Sequence, residues 1–296
     1  GRERLFEKIP IFATRHPPHR SDHPKPQSRM EQRFYKYHGA GNDFVIVDGR
    51  TEVFDASRER VAALCHRRTG IGADGLMILE NDPHAQFRMR YFNADGGEAT
   101  MCGNGGRCIA LLAHHLGIGG MHKTFSGIDG LHEVDILSDD GIEGTVRLGM
   151  IDVREVTPAP DHFFLFSGSP HYVEFVGDVR TTDVTGRGGA IRRSDAFAAG
   201  GGTNVNFVQI LGEGHIRLRT FERGVEDETL ACGTGATAAA IATAVRTAAA
   251  CRRYRVEAEG GTLFVEFRST DLLSFDRITL TGPARKVFEG ATGSFF

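Results

Sequence analysis

A Cys-Gly-x-Gly tetrapeptide occurs twice in this chain, as Cys102-Gly103-Asn104-Gly105 and as Cys232-Gly233-Thr234-Gly235. Each copy follows a polar, acidic stretch, Tyr91 to Glu98 in the first case and Thr220 to Glu228 in the second. Each also precedes an alanine-containing apolar run without proline, Ile109 to Leu116 and Ala236 to Ala250. The pattern predicts a cysteine at the start of a helix in each of two similar halves. The first turn of a helix leaves N–H groups without internal partners and carries partial positive charge, so it favours a thiolate and attracts a carboxylate. Glycines beside the sulfur admit a ligand close to the backbone. Two such ends facing one another would hold a small anion between two sulfurs, one removing a proton from a carbon and the other supplying one to its opposite face. That is the chemistry of racemases and epimerases.

No apolar run approaches the roughly 20 residues of a membrane span, and a net charge of −3 with both signs interspersed leaves no nucleic-acid footprint. The expected ligand is therefore a small molecule, with neither nucleic acid nor membrane as partner. The oligomeric state is left open, a homodimer being allowed. Five cysteines without a CxxC pair point to free thiols in a reducing compartment, the cytoplasm, and without paired CxxC and HxxxH spacing no structural metal is expected.

Residues 1–29 hold five of the ten prolines and no sustained periodicity, and read as a disordered extension with Met30 as a candidate start. Asn42 lies in a glycine-hinged loop before the strand-like Phe44-Val45-Ile46-Val47. Asp55 or Ser57 caps a helix running to Arg67, with Val61, Leu64 and Cys65 on its inner face. Gly70 to Gly75 matches GxGxxG, yet a helix precedes it and a strand, Leu76 to Leu79, follows. That order is wrong for a dinucleotide fingerprint, and a connecting loop explains it better. Strands are expected at 133–137, 144–148, within 163–176, and at 204–210, 215–221, 255–258, 263–267 and 277–280, with a Gly/Arg/Asp-rich connection over 177–202. Many short strands with few helices give an α+β fold. Cys108 and Cys251 are expected to be packing residues.

The segments His38-Gly39-Ala40-Gly41-Asn42-Asp43-Phe44, Asn93-Ala94-Asp95-Gly96, Cys102 to Cys108, Glu222-Arg223-Gly224 and Ala231-Cys232-Gly233-Thr234-Gly235 together closely resemble the diaminopimelate epimerase family. The resemblance runs in order from about residue 33 to the C-terminus. It implies two similar domains, each a curled, mostly antiparallel sheet around a central helix, with the active site between them. The expected limits are 30–147 plus 284–296 for the first domain and 148–283 for the second. It further implies interconversion of LL- and meso-diaminopimelate without pyridoxal phosphate, metal or other cofactor, in lysine and peptidoglycan precursor synthesis. Cys102 and Cys232 match the acid/base pair. Gly103, Asn104, Gly233 and Thr234 match the positions that hold the reacting carboxylate, and Asn42, Asn93, Asn204, Glu222 and Arg223 those that hold the distal end. Ser169 and Gly75 depart from the family pattern, where some members have Asn and Gln, and either change could loosen a distal hydrogen bond.

A proline or hydroxyproline racemase is the competing reading of the same chemistry, but Asn104 and Arg107 fit that family less well. A cysteine phosphatase is the competing reading from another class. Its loop has five residues between Cys and Arg, whereas Cys102 to Arg107 leaves four and Cys232 has no such arginine.

Overall fold

The computed structural model describes residues 32–248 and 250–293. The expected extension over residues 1–29 and Met30 lie outside the described residues, as do 294–296 at the end of the expected first domain. The first half runs β1 (Gln32–Gly39), β2 (Asn42–Asp48), α1 (Arg58–Cys65), β3 (Gly75–Glu80), β4 (Phe87–Asn93), α2 (Gly103–His115), β5 (His122–Gly127), β6 (Gly130–Asp139) and β7 (Glu143–Gly149). The second runs β8 (Val156–Pro158), β9 (Phe163–Phe166), β10 (Pro170–Phe175), α3 (Val184–Arg192), α4 (Asp195–Ala198), β11 (Asn204–Gly212), β12 (His215–Glu222), β13 (Asp227–Thr229), α5 (Gly233–Thr247), β14 (Arg253–Ala258), β15 (Gly261–Arg268) and β16 (Asp276–Thr292).

The strands share one hydrogen-bonded order, and β16 is its pivot. Residues 279–285 of β16 pair with β7, and its C-terminal part pairs with β1, which closes β1 to β7 into a barrel around α2. The N-terminal part of β16 pairs with β15, and the series continues through β14, β12, β11, β10, β9 and β8 around α5. A bridge from Val153 to Phe275 draws the far edge of this second sheet back towards β16. Most pairings are antiparallel; β2–β3, β4–β5, β10–β11 and β12–β14 are parallel.

Sequence chemistry accounts for helices inside curled sheets. The α2 residues Gly103 to Ala113 and the α5 residues Gly233 to Ala244 are all buried. Small side chains keep those helices thin, and at Gly106 an added Cβ would lie 2.5 Å from Met101 Cε. Buried threonines in α5 spend their hydroxyls on the helix itself: Thr237 donates to Gly233 O at 3.2 Å and Thr243 to Ala239 O at 2.7 Å. The apolar run Phe44-Val45-Ile46-Val47 is buried on both faces. Phe44 and Ile46 meet α2, and Val45 and Val47 meet the α1 layer with Val61, Leu64 and Cys65.

Several expectations are corrected. Helix α1 ends at Cys65, and Ser57 holds its N-cap position without a side-chain cap bond. Helix α5 ends at Thr247, where Ala248 turns left-handed with φ +48°. Cys108 is buried within α2, and Cys251, partly exposed beyond α5, packs against the core of the second half, as expected of both. The 177–202 connection contains α3, whose Val184 packs with Val205, Phe207 and Phe221 on the outer face of the second sheet.

Candidate active site

Cys102 and Cys232 occupy the N-cap positions of α2 and α5 with nearly identical extended backbones, φ −112°, ψ 118° and φ −115°, ψ 115°. The two helix starts abut. A Cβ added to Gly233 would lie 3.2 Å from Gly103 Cα and 2.8 Å from Leu280 Cδ2, so only glycine allows this approach. A cleft of about 370 Å³ opens there, lined by Asn93, Cys102, Gly103, Asn104, Asn204, Glu222, Arg223, Cys232, Gly233 and Thr234. Asn42 is not on the lining, but its Oδ1 lies 3.7 Å from Cys102 Sγ and 3.3 Å from Asn104 Nδ2. Asn42 Nδ2 donates to Asp74 Oδ2 at 2.8 Å, so the GxGxxG segment is a loop that orients Asn42.

The two sulfurs differ in their hydrogen bonds. The Cys102 thiol donates to Asn42 Oδ1. Cys232 Sγ receives Gly235 N–H at 3.4 Å and stands 3.5 Å from Thr234 Oγ1. Behind Thr234 runs a chain with one direction. Asn206 offers Nδ2 to His171 Nδ1 at 3.0 Å, so that nitrogen is bare and Nε2 carries the proton. His171 Nε2 then donates to Ser169 Oγ at 3.0 Å, which also accepts from Asn204 Nδ2 at 2.9 Å. The Ser169 hydroxyl therefore points to Thr234 Oγ1, 3.2 Å away, and Thr234 directs its own hydroxyl at Cys232. Burial, then the charge of Arg223, hold His171 down to about 3, which keeps it neutral in this chain.

Burial outweighs the helix start for both thiols. It pushes Cys102 up to about 11, with the Glu222 carboxylate adding to it, against the N–H groups of Gly105 and Asn104 and the charge of Arg107. Cys232 is raised further by burial and then by Glu222, against the Thr234 hydroxyl and Gly235 N–H. Both sulfurs are thus thiols near neutral pH, contrary to what a helix end alone predicts. Glu222 is itself raised to about 7 by burial, despite a 2.8 Å bond from Thr229 Oγ1.

Also on the cleft lining, the Arg223 guanidinium makes no ion pair among the described residues, and the Asn93 side chain makes no hydrogen bond among them. Asn204 serves differently. Its hydrogens go to Ser169 Oγ and Pro170 O, and its Oδ1 accepts from Arg223 N at 2.8 Å, so it fixes the Arg223 backbone. Ser169 is a hub rather than a gap. Gly75 lies against Tyr91: a Cβ there would be 2.6 Å from Tyr91 Cε2. Tyr91, Met101 and Arg192 also line the cleft and were not singled out from the sequence. Arg192 donates to Glu226 Oε1 at 3.0 Å, and no local motif marks it.

Proteins of known structure share this fold. A PhzF-family phenazine biosynthesis protein of Bacillus anthracis superposes with a TM-score of 0.68 at 13% identity, covering 89% of this chain and 99% of that one. A probable proline racemase of Agrobacterium radiobacter K84 does so at 0.65 and 16%, covering 89% and 93%. Closer in sequence are the diaminopimelate epimerases of Flavobacterium psychrophilum, 44% identical over 258 residues, and Chlorobaculum tepidum, 44% over 260. They cover 87% and 85% of this chain and 98% of each relative. Fold, cleft and relatives define an isomerase of the racemase and epimerase class. More particularly, the diaminopimelate epimerase family model matches residues 34–150 and 163–287, and the chain belongs to that family.

Proposed function

We propose that this chain interconverts LL- and meso-2,6-diaminopimelate without a cofactor, Cys102 and Cys232 acting as acid/base pair on opposite faces of one α-carbon. The observation that carries the reading is the abutment of two cysteine-bearing helix starts in a cleft that is also lined by Glu222 and Arg223, the latter without an ion pair among the described residues. The reacting carboxylate is held by the N–H groups at Gly103, Asn104, Gly233 and Thr234. The distal carboxylate pairs with Arg223 and the distal ammonium with Glu222, Asn93 adding a hydrogen bond and Asn42 and Asn204 setting the geometry. In each turnover a thiolate takes the α-proton to become a thiol, and the opposite thiol gives its proton to the other face. The roles exchange for the reverse direction.

Both sulfurs are protonated in the empty cleft, so one proton must leave before catalysis. A substrate ammonium beside Glu222 neutralises the carboxylate that raises both thiols, which makes the thiolate less costly once substrate is bound. Cofactor-free deprotonation requires about 8–23 kcal/mol of transition-state stabilisation. A helix end supplies only about 0.3–2 kcal/mol. Several N–H groups aimed at the developing charge, each worth roughly 2.7–4 kcal/mol, are of the required order in a closed cleft.

As functional units we assign 30–147 plus 284–296 to the first domain and 148–283 to the second. The protein acts in lysine and peptidoglycan precursor synthesis, in the cytoplasm and without nucleic-acid partners. A phosphatase loop finds no support: Arg107, on α2, is fully buried and is not among the residues that line the cleft. The test is to incubate purified protein with LL-diaminopimelate in deuterium oxide without added cofactor. Early product carrying deuterium at the inverted carbon, with remaining substrate largely unlabelled, is expected; product retaining the substrate's own hydrogen, or no inversion, overturns the reading.

A further inference from the structure

Arg107 is the largest fully buried side chain among the described residues, and no carboxylate pairs with it there. Burial of a guanidinium without a counter-charge is costly, so its place needs a physical reason. Its donors are spent on neutral acceptors. Nη1 donates to Gly103 O at 3.2 Å, Nη2 to Asn104 Oδ1 at 2.8 Å, and Nε to Pro283 O at 3.3 Å. Two glycines make room for it: a Cβ at Gly39 would lie 3.3 Å from Nη2, and one at Gly282 would lie 3.2 Å from Nε. The guanidinium therefore joins three parts of the fold, the end of β1, the first turn of α2, and the stretch of β16 where the two halves meet.

One consequence follows from the Asn104 carboxamide. Because Arg107 takes Oδ1, the amide cannot turn over, and Nδ2 must face the other way. There it donates to Ala231 O at 2.8 Å, the residue before Cys232, and lies 3.3 Å from Asn42 Oδ1, the acceptor of the Cys102 thiol. We propose that Arg107 is a positioning residue for the reaction: by fixing which way Asn104 points, it straps the start of α2 to the segment carrying Cys232 and aligns the two sulfurs across one carbon. Lysine cannot substitute, because a single ammonium cannot hold Gly103 O, Asn104 Oδ1 and Pro283 O in one plane.

The inference rests on reading the cleft as an epimerase site. Its effect falls on chemistry rather than binding, since the distal end of the substrate is gripped from the second half by Glu222 and Arg223. The experiment is a double-mutant cycle on LL-diaminopimelate epimerisation with Arg107→Met, Asn104→Ala and the double variant, together with Arg107→Lys. Folding of each is checked by circular dichroism and thermal melting. Arg107→Met should lower kcat by about 100-fold, the scale of a misplacement near 1 Å, with KM changed less than threefold. The double variant should lose little more than either single one, because Arg107 acts through Asn104. Arg107→Lys should remain at least tenfold below wild type. Should the methionine variant not fold, the lysine variant takes its place in the cycle. Multiplicative losses in folded variants, kcat within threefold of wild type, or full rescue by lysine each overturn the inference while leaving the epimerase reading intact. A wild-type protein inert towards LL-diaminopimelate removes both.

Discussion

Thr234 Oγ1 stands 3.5 Å from Cys232 Sγ as the last donor of a chain, whereas the Cys102 thiol is itself the donor, to Asn42 Oδ1 at 3.7 Å. The two halves repeat the backbone of the site and its N–H bonds to sulfur, but differ in the side chain set beside each sulfur. Thr234→Val keeps the shape and removes the donor. It should raise the Cys232 thiol further and slow turnover about 10- to 100-fold, kcat/KM falling by the same factor from either isomer because the equilibrium constant is fixed. Steady-state kcat/KM checks this, and a value within threefold of wild type would contradict it.

Ser169→Ala should act mainly on stability. It leaves Asn204 Nδ2 and His171 Nε2 without their shared acceptor, and unsatisfied buried donors cost about 1–3 kcal/mol. Urea denaturation should show a loss of that size with an unchanged m-value.

Glu222 gives the pH dependence a definite sign. Its carboxyl is raised from 4.5 to about 7, so between those values the folded chain binds more protons than the unfolded one, and this group's contribution to stability falls as pH rises through that window. Its charge also raises both thiols. Glu222→Gln should therefore flatten that part of the stability profile and move alkylation of Cys102 by iodoacetamide in the empty protein to lower pH. Peptide mass spectrometry reads the alkylation; an unmoved or upward midpoint would exclude the electrostatic link.

Gly233→Ala should cost about 1–3 kcal/mol of stability, the range for an inserted methyl in a packed core. Leu280 can swing aside, but Gly103 Cα, 3.2 Å from the new Cβ, is backbone and can only be displaced. Activity should fall more steeply than stability, because the displaced backbone carries Cys102 with it; comparing kcat with the denaturation midpoint separates the two.

L-Lysine offers an α-amino acid without the second carboxylate. Leaving Arg223 unpaired should reduce kcat/KM by about 10⁴-fold relative to diaminopimelate. Arg223→Gln should narrow that ratio by lowering activity on diaminopimelate alone.

The cysteines and their glycines were legible because helix starts have local chemistry, and Asn204 because it matches a position of the family pattern, whereas Asn206 was not singled out. The closure of the first sheet was not legible. Thr292 Oγ1 donates to Gln32 O across a separation of 260 residues, and no local pattern encodes such a pairing. The state of the sulfurs was misread for a related reason: the favourable helix end is a property of a few consecutive residues, while the burial that outweighs it arises only when two distant halves meet. Asn204 was placed correctly beside the cleft, yet its task of fixing Arg223 depends on Ser169 and Pro170, which approach it only through the parallel pairing of β10 with β11.

The sharing of β16 has a consequence for how the chain is made. Strands β1 to β7 are complete by residue 149, yet residues 279–292 must be in place before their barrel can close. During synthesis from the N-terminus, β1 and β7 stay as open edges while nearly half the polypeptide is still being added. Closure of the first barrel is therefore a long-range step that waits on the strand shared with the second half.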